Sequence, residues 1–199
     1  MSRPRQISDK EILVAARAVF LEHGHQVSTA VIAQRVGISQ ALLFQRFGTK
    51  QRMLVAALWP AVEPDWFERV RQGPDERNLV DQLQELAGEV VATFEQHVPC
   101  LVILRSAGID LEGLLQQEDT PHPVQGFRAI QSWFDQARQD GRIGSGDSAA
   151  AALVFLGALQ TNVFLAHLAG ERTLAVDEEP WWKGVVELLW NGLRPGGEQ

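Results

Sequence analysis

The chain has 199 residues, a net charge of −7, 45% apolar and 22% charged residues, which is enough to bury a sizeable core in one or two domains and excludes a disordered chain. Residues 1 to 50 hold seven Lys/Arg against three Asp/Glu, a balance of +4 that leaves −11 on the rest, so the positive pole is N-terminal. A single cysteine, Cys100, excludes an intramolecular disulfide and a CxxC metal or redox pair and agrees with a reducing cytoplasm.

The opening Met-Ser-Arg-Pro-Arg has a basic start but no apolar stretch of a secretory leader. Ser8 to Glu11 reads as a capping box, and the helix that it opens runs to about His23, buries Ile12, Ala16, Val19 and Phe20, and stops at Gly24. A second helix starts at Ser28 or Thr29 with a short apolar stripe of Ile32, Ala33 and Val36, ended by Gly37. Ser39 caps a third, on which Leu43 and Phe47 share the buried face. Ala41 and Gln45 lie nearly opposite, flanked by Leu42 and Phe44. Two short helices joined at a glycine, the second with one free face, form a helix-turn-helix. The free strip has the dimensions to enter a major groove.

A fourth helix follows Thr49, carries Met53, Leu54, Ala57 and Leu58 on one side, and ends near Pro60. Pro64 to Gln72 can form a short helix. From about Glu76 to His97 the set Leu79, Leu83, Leu86, Val90 and Phe94 predicts a long one, and Pro99 is expected to restart a short apolar helix through Ile103 and Leu104. Gly108 to Pro123 reads as a mobile loop, and Phe127, Ile130, Phe134 and Ala137 as a helix ended by Gly141. Asp147 caps a nearly all-apolar helix that has to be covered on both sides, with Gly157, Ala158 and Thr161 as a seam of close approach. Its longest apolar run, eleven residues from Ala149 to Leu159, falls short of the ~20 that span a bilayer, so a core helix and no membrane partner are expected. The last helix, after Pro180, sets Trp182, Val185, Val186, Leu189 and Leu193 on one stripe.

No β-alternating run of useful length occurs, so the fold is predicted all-α with about nine helices. An N-terminal three-helix helix-turn-helix domain, residues 1–50, precedes a C-terminal helical domain, residues 51–199, and the helix at about 50–59 connects them.

The series Ile12, Ala15-Ala16, Phe20, Gly24, Thr29, Ile32-Ala33, Gly37-Ile38-Ser39, Leu43-Phe44, Phe47 and Lys50 resembles the N-terminal signature of the tetracycline-repressor (TetR) family of bacterial transcriptional regulators, over roughly residues 7 to 54. Two positions depart from it: Phe44 stands where the family usually has tyrosine, and Arg46 where a histidine commonly precedes the final Phe. Phe44 has no hydroxyl to give a phosphate, and Arg46 adds a cation.

The resemblance implies base contacts from Gln40, Ala41, Leu42 and Gln45, and backbone contacts from Thr29, Ser39, Phe44, Arg46 and Lys50. The two glutamines favour adenine, and Ala41 or Leu42 suits thymine methyl groups. Phe44 has partly buried support of the motif as its other reading, and Arg46 an ordinary surface cation. Arg3 and Arg5 read equally as phosphate or minor-groove contacts and as a solvated arm. The family likeness further implies a cytoplasmic homodimer formed through the last two long helices, a palindromic double-stranded DNA operator, and a small apolar effector held in a ligand-binding and dimerisation domain. Phe94, His97, Cys100, Leu104, Trp133 and Phe134 lie on the elements that would surround that effector, with plain core packing as their alternative role.

Catalytic chemistry finds little support in the chain. His23, His25, His97, His122 and His167 form no HExxH or Cys/His ligand spacing, Gly141-Arg-Ile-Gly-Ser-Gly146 lacks the Lys-Ser/Thr ending of a phosphate loop, and no Ser-His-Asp order follows from spacing. No catalytic residue, cofactor or metal is expected. The leading function is a ligand-released repressor. The alternative is a helical ligand-binding or enzymatic domain whose helix-turn-helix is vestigial.

Overall fold

The computed structural model describes residues 7–59, 64–169 and 180–194. Among them there are ten helices and no strand: α1 (Asp9–His23), α2 (Thr29–Val36), α3 (Gln40–Phe47), α4 (Lys50–Leu58), α5 (Asp65–Arg71), α6 (Leu79–Ser106), α7 (Leu111–Leu115), α8 (His122–Gln139), α9 (Ser148–Ala169) and α10 (Trp182–Leu193). They form two compact units, residues 1–61 with 99–114, and residues 62–98 with 115–199.

In the first unit the local signals set the helix ends. Ser8 and Glu11 close a reciprocal capping box: the Glu11 backbone N–H donates to Ser8 Oγ at 3.2 Å and the Ser8 N–H to Glu11 Oε2 at 2.8 Å. Ser28, Ser39 and Thr49 each cap the helix that follows through the side-chain oxygen. Helix α1 packs on α2 and α4, and α3 on α2 and α4. Ile12, Phe20, Ile32 and Leu58 are wholly buried in their shared core, together with Cys100 and Leu104 from the end of α6. His25 Nδ1 lies 3.2 Å from Ser106 Oγ, whose hydroxyl donates to the Ile103 carbonyl.

Helix α6 departs from the expected break. Pro99 sits inside one continuous helix, Leu79–Ser106, although proline removes a backbone donor and costs about 3 kcal/mol within a helix. Val98 and Cys100 on either side are buried, and that burial holds the helix through the defect. The segment Gly108 to Pro123, expected as a loop, contains the single-turn helix α7. The two differences offset each other in the helix count, which is ten among the described residues.

In the second unit α8 packs on α5 and α9, and α9 on α10. Phe134 anchors this core with its ring edge-on to Trp133 and Phe155, at centroid distances of 5.4 and 6.4 Å. Gly126 lets α5 approach α8, since a Cβ there would lie 2.9 Å from Phe67 Cζ. The turn before α6 is held by the buried Gln82, which donates to the Asp75 and Arg77 carbonyls at 3.1 and 2.8 Å and accepts from the Asp75 N–H. Arg142 donates to the same two carbonyls.

Helix α9, whose sequence predicts cover on both sides, is covered within the chain on one. Phe155 and Leu159 are buried, while Leu153, Val154, Phe164 and Leu168 are exposed. By length and composition alone α9 could cross a membrane, which its shorter uninterrupted apolar run does not suggest. Packing on α8 and α10 marks it instead as a half-covered helix of a helical bundle. Trp182 packs against Gly88 of α6 in the same chain, its ring 3.2 Å from where a Cβ would sit.

Candidate nucleic-acid interface

The recognition element is assembled by the backbone turn at Gly37. Its φ of +78° is left-handed, a region that glycine enters without the steric cost borne by other residues, and its N–H donates to the Ala33 carbonyl at 2.9 Å. Two residues later Ser39 Oγ accepts from the Leu42 N–H at 3.2 Å and starts α3.

At 100° per residue, Gln40, Ala41, Phe44 and Gln45 fall on one side of this eight-residue helix and Leu43 and Arg46 on the other. The structure matches that division. Gln40, Ala41, Phe44 and Gln45 are exposed, Leu42 is half-buried at the edge, and Leu43 is buried in the core. The exposed face therefore offers two amides, a methyl group and an aromatic ring, with no carboxylate to repel a phosphate backbone.

Four of the nine expected DNA contacts have partners inside the protein: Ser39 through its cap, Thr29 and Gln40 with each other, and Arg46 at the rear of α3. Thr29 is only 6% exposed, and its Oγ1 accepts a hydrogen bond from Gln40 Nε2 at 2.5 Å. Arg46 points inward from the rear of α3: its Nη1 donates to the Ile7 carbonyl at 2.6 Å and to Asp9 Oδ1 at 2.9 Å. It thus ties the recognition helix to the start of α1. Arg46 shares a helix side with Leu43 three residues earlier, and that spacing is the available signal for its inward direction. Its partners, 37 and 39 residues away, leave no trace in local sequence. Arg3 and Arg5 lie outside the described residues.

At the far end of α3, Thr49 Oγ1 accepts from the Arg52 N–H at 3.1 Å and opens α4 with half-buried Lys50 as its first residue. Free amides at a helix N-terminus beside a cation form an anion site. Arg52, which the family pattern does not single out, is exposed and folds its guanidinium back towards Gly48, so that a Cβ on that glycine would be 3.5 Å from Nη1. The run Thr49-Lys50-Gln51-Arg52, two cations on the first turn after a cap, is the sequence signal for it.

The six residues considered for an effector site are divided by the fold. Cys100 and Leu104 belong to the core of the helix-turn-helix unit, where burial pushes the Cys100 thiol pKa upwards and keeps it protonated. Phe94 and His97 are half-buried on the part of α6 assigned to the second unit. Phe134 is buried in that unit's aromatic cluster, and Trp133 lines a cavity of about 30 Å³ with Asp75, Arg77 and Glu85, room for one water. Among the described residues no group of three or more His, Cys, Asp or Glu could hold a metal ion.

On this geometry the comparisons with known proteins bear directly. Residues 12–57, from α1 to α4, match the family described as bacterial regulatory proteins, tetR family. Over 198 residues the chain is 25% identical to the HTH-type transcriptional activator FasR of Mycolicibacterium smegmatis, covering 96% of this chain and 84% of that one. Among solved structures, one from work on the control of antibiotic production by a bacterial hormone superposes with a TM-score of 0.65 at 23% identity, covering 94% of this chain and all of the other. The SmeT–triclosan complex gives 0.63 at 19% identity, covering 94% and 91%. The glycine-hinged pair of capped helices thus lies within the segment, residues 12–57, that matches the tetR family of bacterial regulatory proteins, and the chain shares the all-helical fold of these solved proteins over 94% of its length.

Proposed function

We propose that the protein binds a palindromic operator as a homodimer and releases it when a small apolar effector occupies the second unit. The observation that carries this reading is the α3 face, where Gln40, Ala41, Phe44 and Gln45 are exposed on one side of a helix held rigidly from behind by Leu43 and Arg46. Gln40, Ala41, Leu42 and Gln45 face the bases, while Ser39, Phe44 and Lys50, with Arg52 added, lie along the backbone. Thr29 and Arg46 act from inside the protein by holding α3.

Dimerisation through α9 and α10 is supported by their exposed apolar face. Val154, Ala158, Val185, Leu188 and Leu189 line a groove of about 460 Å³ between the two helices. Leu188 is 78% exposed, an unusual position for leucine unless something covers it. A second copy of the same chain fits, because a self-complementary two-fold contact buries the face on both subunits at once and gives the symmetry that a palindrome requires. The protein works in the cytoplasm, as a regulator rather than as an enzyme.

Effector control is supported by the triclosan held by SmeT in a protein of the same fold. Phe94, His97, Trp133 and Phe134 are the second unit's candidates for contacting an apolar ligand, which would act by binding more tightly to the arrangement that does not fit DNA. We read the protein as a repressor, whose release from the operator turns its target on. The name of FasR, an activator, favours the opposite sign as a second reading, and a reporter placed behind the selected operator separates the two by whether deletion of the gene raises or lowers expression.

The reading is tested by selecting bound duplexes from a random pool and measuring affinity over a salt series, with Lys50→Ala alongside. One palindrome is expected to be enriched. Lys50→Ala should weaken binding to every sequence and lower the slope of log K against log salt by about 0.9 for each phosphate that the lysine neutralises. Weak binding without sequence enrichment would contradict the proposal.

A further inference from the structure

We infer that Thr29 sets the base preference of the recognition helix through Gln40, as a positioning residue. This rests on the DNA-binding reading above and goes beyond it by naming what fixes the readout. Gln40 is the first residue of α3 and is exposed on the proposed groove-facing side, the position nearest the base edges in a helix-turn-helix. An exposed glutamine has three free side-chain torsions and an amide that can present either end, so by itself it discriminates poorly between bases.

Here one amide hydrogen is taken. Thr29 Oγ1, on α2 and eleven residues earlier in the chain, accepts from Gln40 Nε2, and Thr29 is only 6% exposed. That bond restrains the amide, and in the structure it is the nitrogen that is turned towards Thr29. Gln40 is left with a carbonyl oxygen and its second N–H. This pair is complementary to adenine, whose N6–H donates to the oxygen and whose N7 accepts from the nitrogen. Guanine presents two acceptors, O6 and N7, and would face the Gln40 oxygen with an acceptor. Because Thr29 is itself fixed at the first position of α2, behind the Ser28 cap, the orientation is inherited from the helix-turn-helix frame rather than from the DNA.

The test compares base preferences selected from a random duplex pool by the full-length protein and by Gln40→Ala, Thr29→Val, Thr29→Ser and the Thr29→Val/Gln40→Ala double variant, each checked for helicity by circular dichroism. Gln40→Ala should lose an adenine preference at one position in each half-site. Thr29→Val should weaken discrimination at that same position by about fivefold, the worth of one hydrogen bond, and leave the others unchanged. Thr29→Ser, which keeps the hydroxyl, should restore it, and the double variant should match Gln40→Ala alone. Thr29→Ala takes the place of Thr29→Val if the latter does not fold. A Thr29→Val profile identical to wild type overturns the inference, as does an equal loss at all positions or a Gln40-dependent base other than adenine. In those cases the wild-type palindrome still stands and the DNA-binding reading survives. No enriched sequence from the wild type overturns that reading and the inference with it.

Discussion

The two units differ in how completely one chain satisfies them. In the first, α1 to α4 and the end of α6 converge on Phe20, the helix starts carry side-chain caps, and the apolar residues left outside on α1, Val14 and Leu21, are two turns apart. In the second, exposed apolar residues run along two neighbouring helices and line a shared groove. The first unit closes its core with α1 to α4 and the end of α6, whereas the α9–α10 pair leaves an apolar groove open within the chain. Covering its groove with a second copy removes apolar area from water at about 25 cal/mol per Å², a gain that the separate chain does not have.

Four changes would sharpen or break that contrast. Phe20→Ala removes a ring with no exposed surface from the core of the first unit and should cost about 3–5 kcal/mol of its stability, read as the loss of the α1–α4 transition in chemical denaturation. A loss below about 1 kcal/mol would mean that this core is not closed. Leu188→Glu places a charge in the groove of the second unit. Because Leu188 is exposed within the chain, the protomer should melt as before, while sedimentation shows monomers and operator affinity falls on the order of 100-fold with the loss of two-handed binding. An unchanged dimer would place the interface elsewhere.

Arg46→Gln separates holding the recognition helix from holding DNA. It should cost about 1 kcal/mol of first-unit stability, discounted for the exposure of Asp9, with the salt slope of binding unchanged. A slope lowered by about 0.9 would show that Arg46 meets a phosphate after all. The smallest effect concerns the turn that precedes α6. The Arg77 backbone N–H bonded to Asp75 holds that carboxyl below its usual 3.8, with the Arg77 guanidinium adding to the effect against some desolvation. A carboxylate lowered in the folded state stabilises above its unfolded value and stops doing so as pH falls through its folded one. Wild type should therefore melt slightly above Asp75→Asn at pH 7, with the gap closing as the pH is taken below 3.8. A gap independent of pH would assign it to the turn's shape rather than to charge.

Much of the first unit is legible because its signals are local. Ser8 with Glu11, Gly37 and Ser39 act within three or four residues of themselves, and a helical period separates Leu43 from Gln40 and Ala41. The parts that stay hidden in the sequence depend on distant partners. Nothing near Arg46 indicates Ile7 or Asp9, and nothing near Thr29 marks it as a partner of Gln40 rather than of a phosphate. Pro99 shows the converse: its local rule is sound, yet burial on both sides outweighs it. In α9 the all-apolar sequence indicates two covered faces, and it carries no mark of which face its own chain covers.

The most direct measurement is the mass of the protein bound to its selected duplex, by sedimentation of the complex formed by wild type and by Leu188→Glu. Two protomers on one palindromic duplex for the wild type, and no stable complex for the variant at the same concentration, are expected if the first unit reads DNA and the second supplies the pair. A single chain bound at full affinity, by either protein, would contradict it.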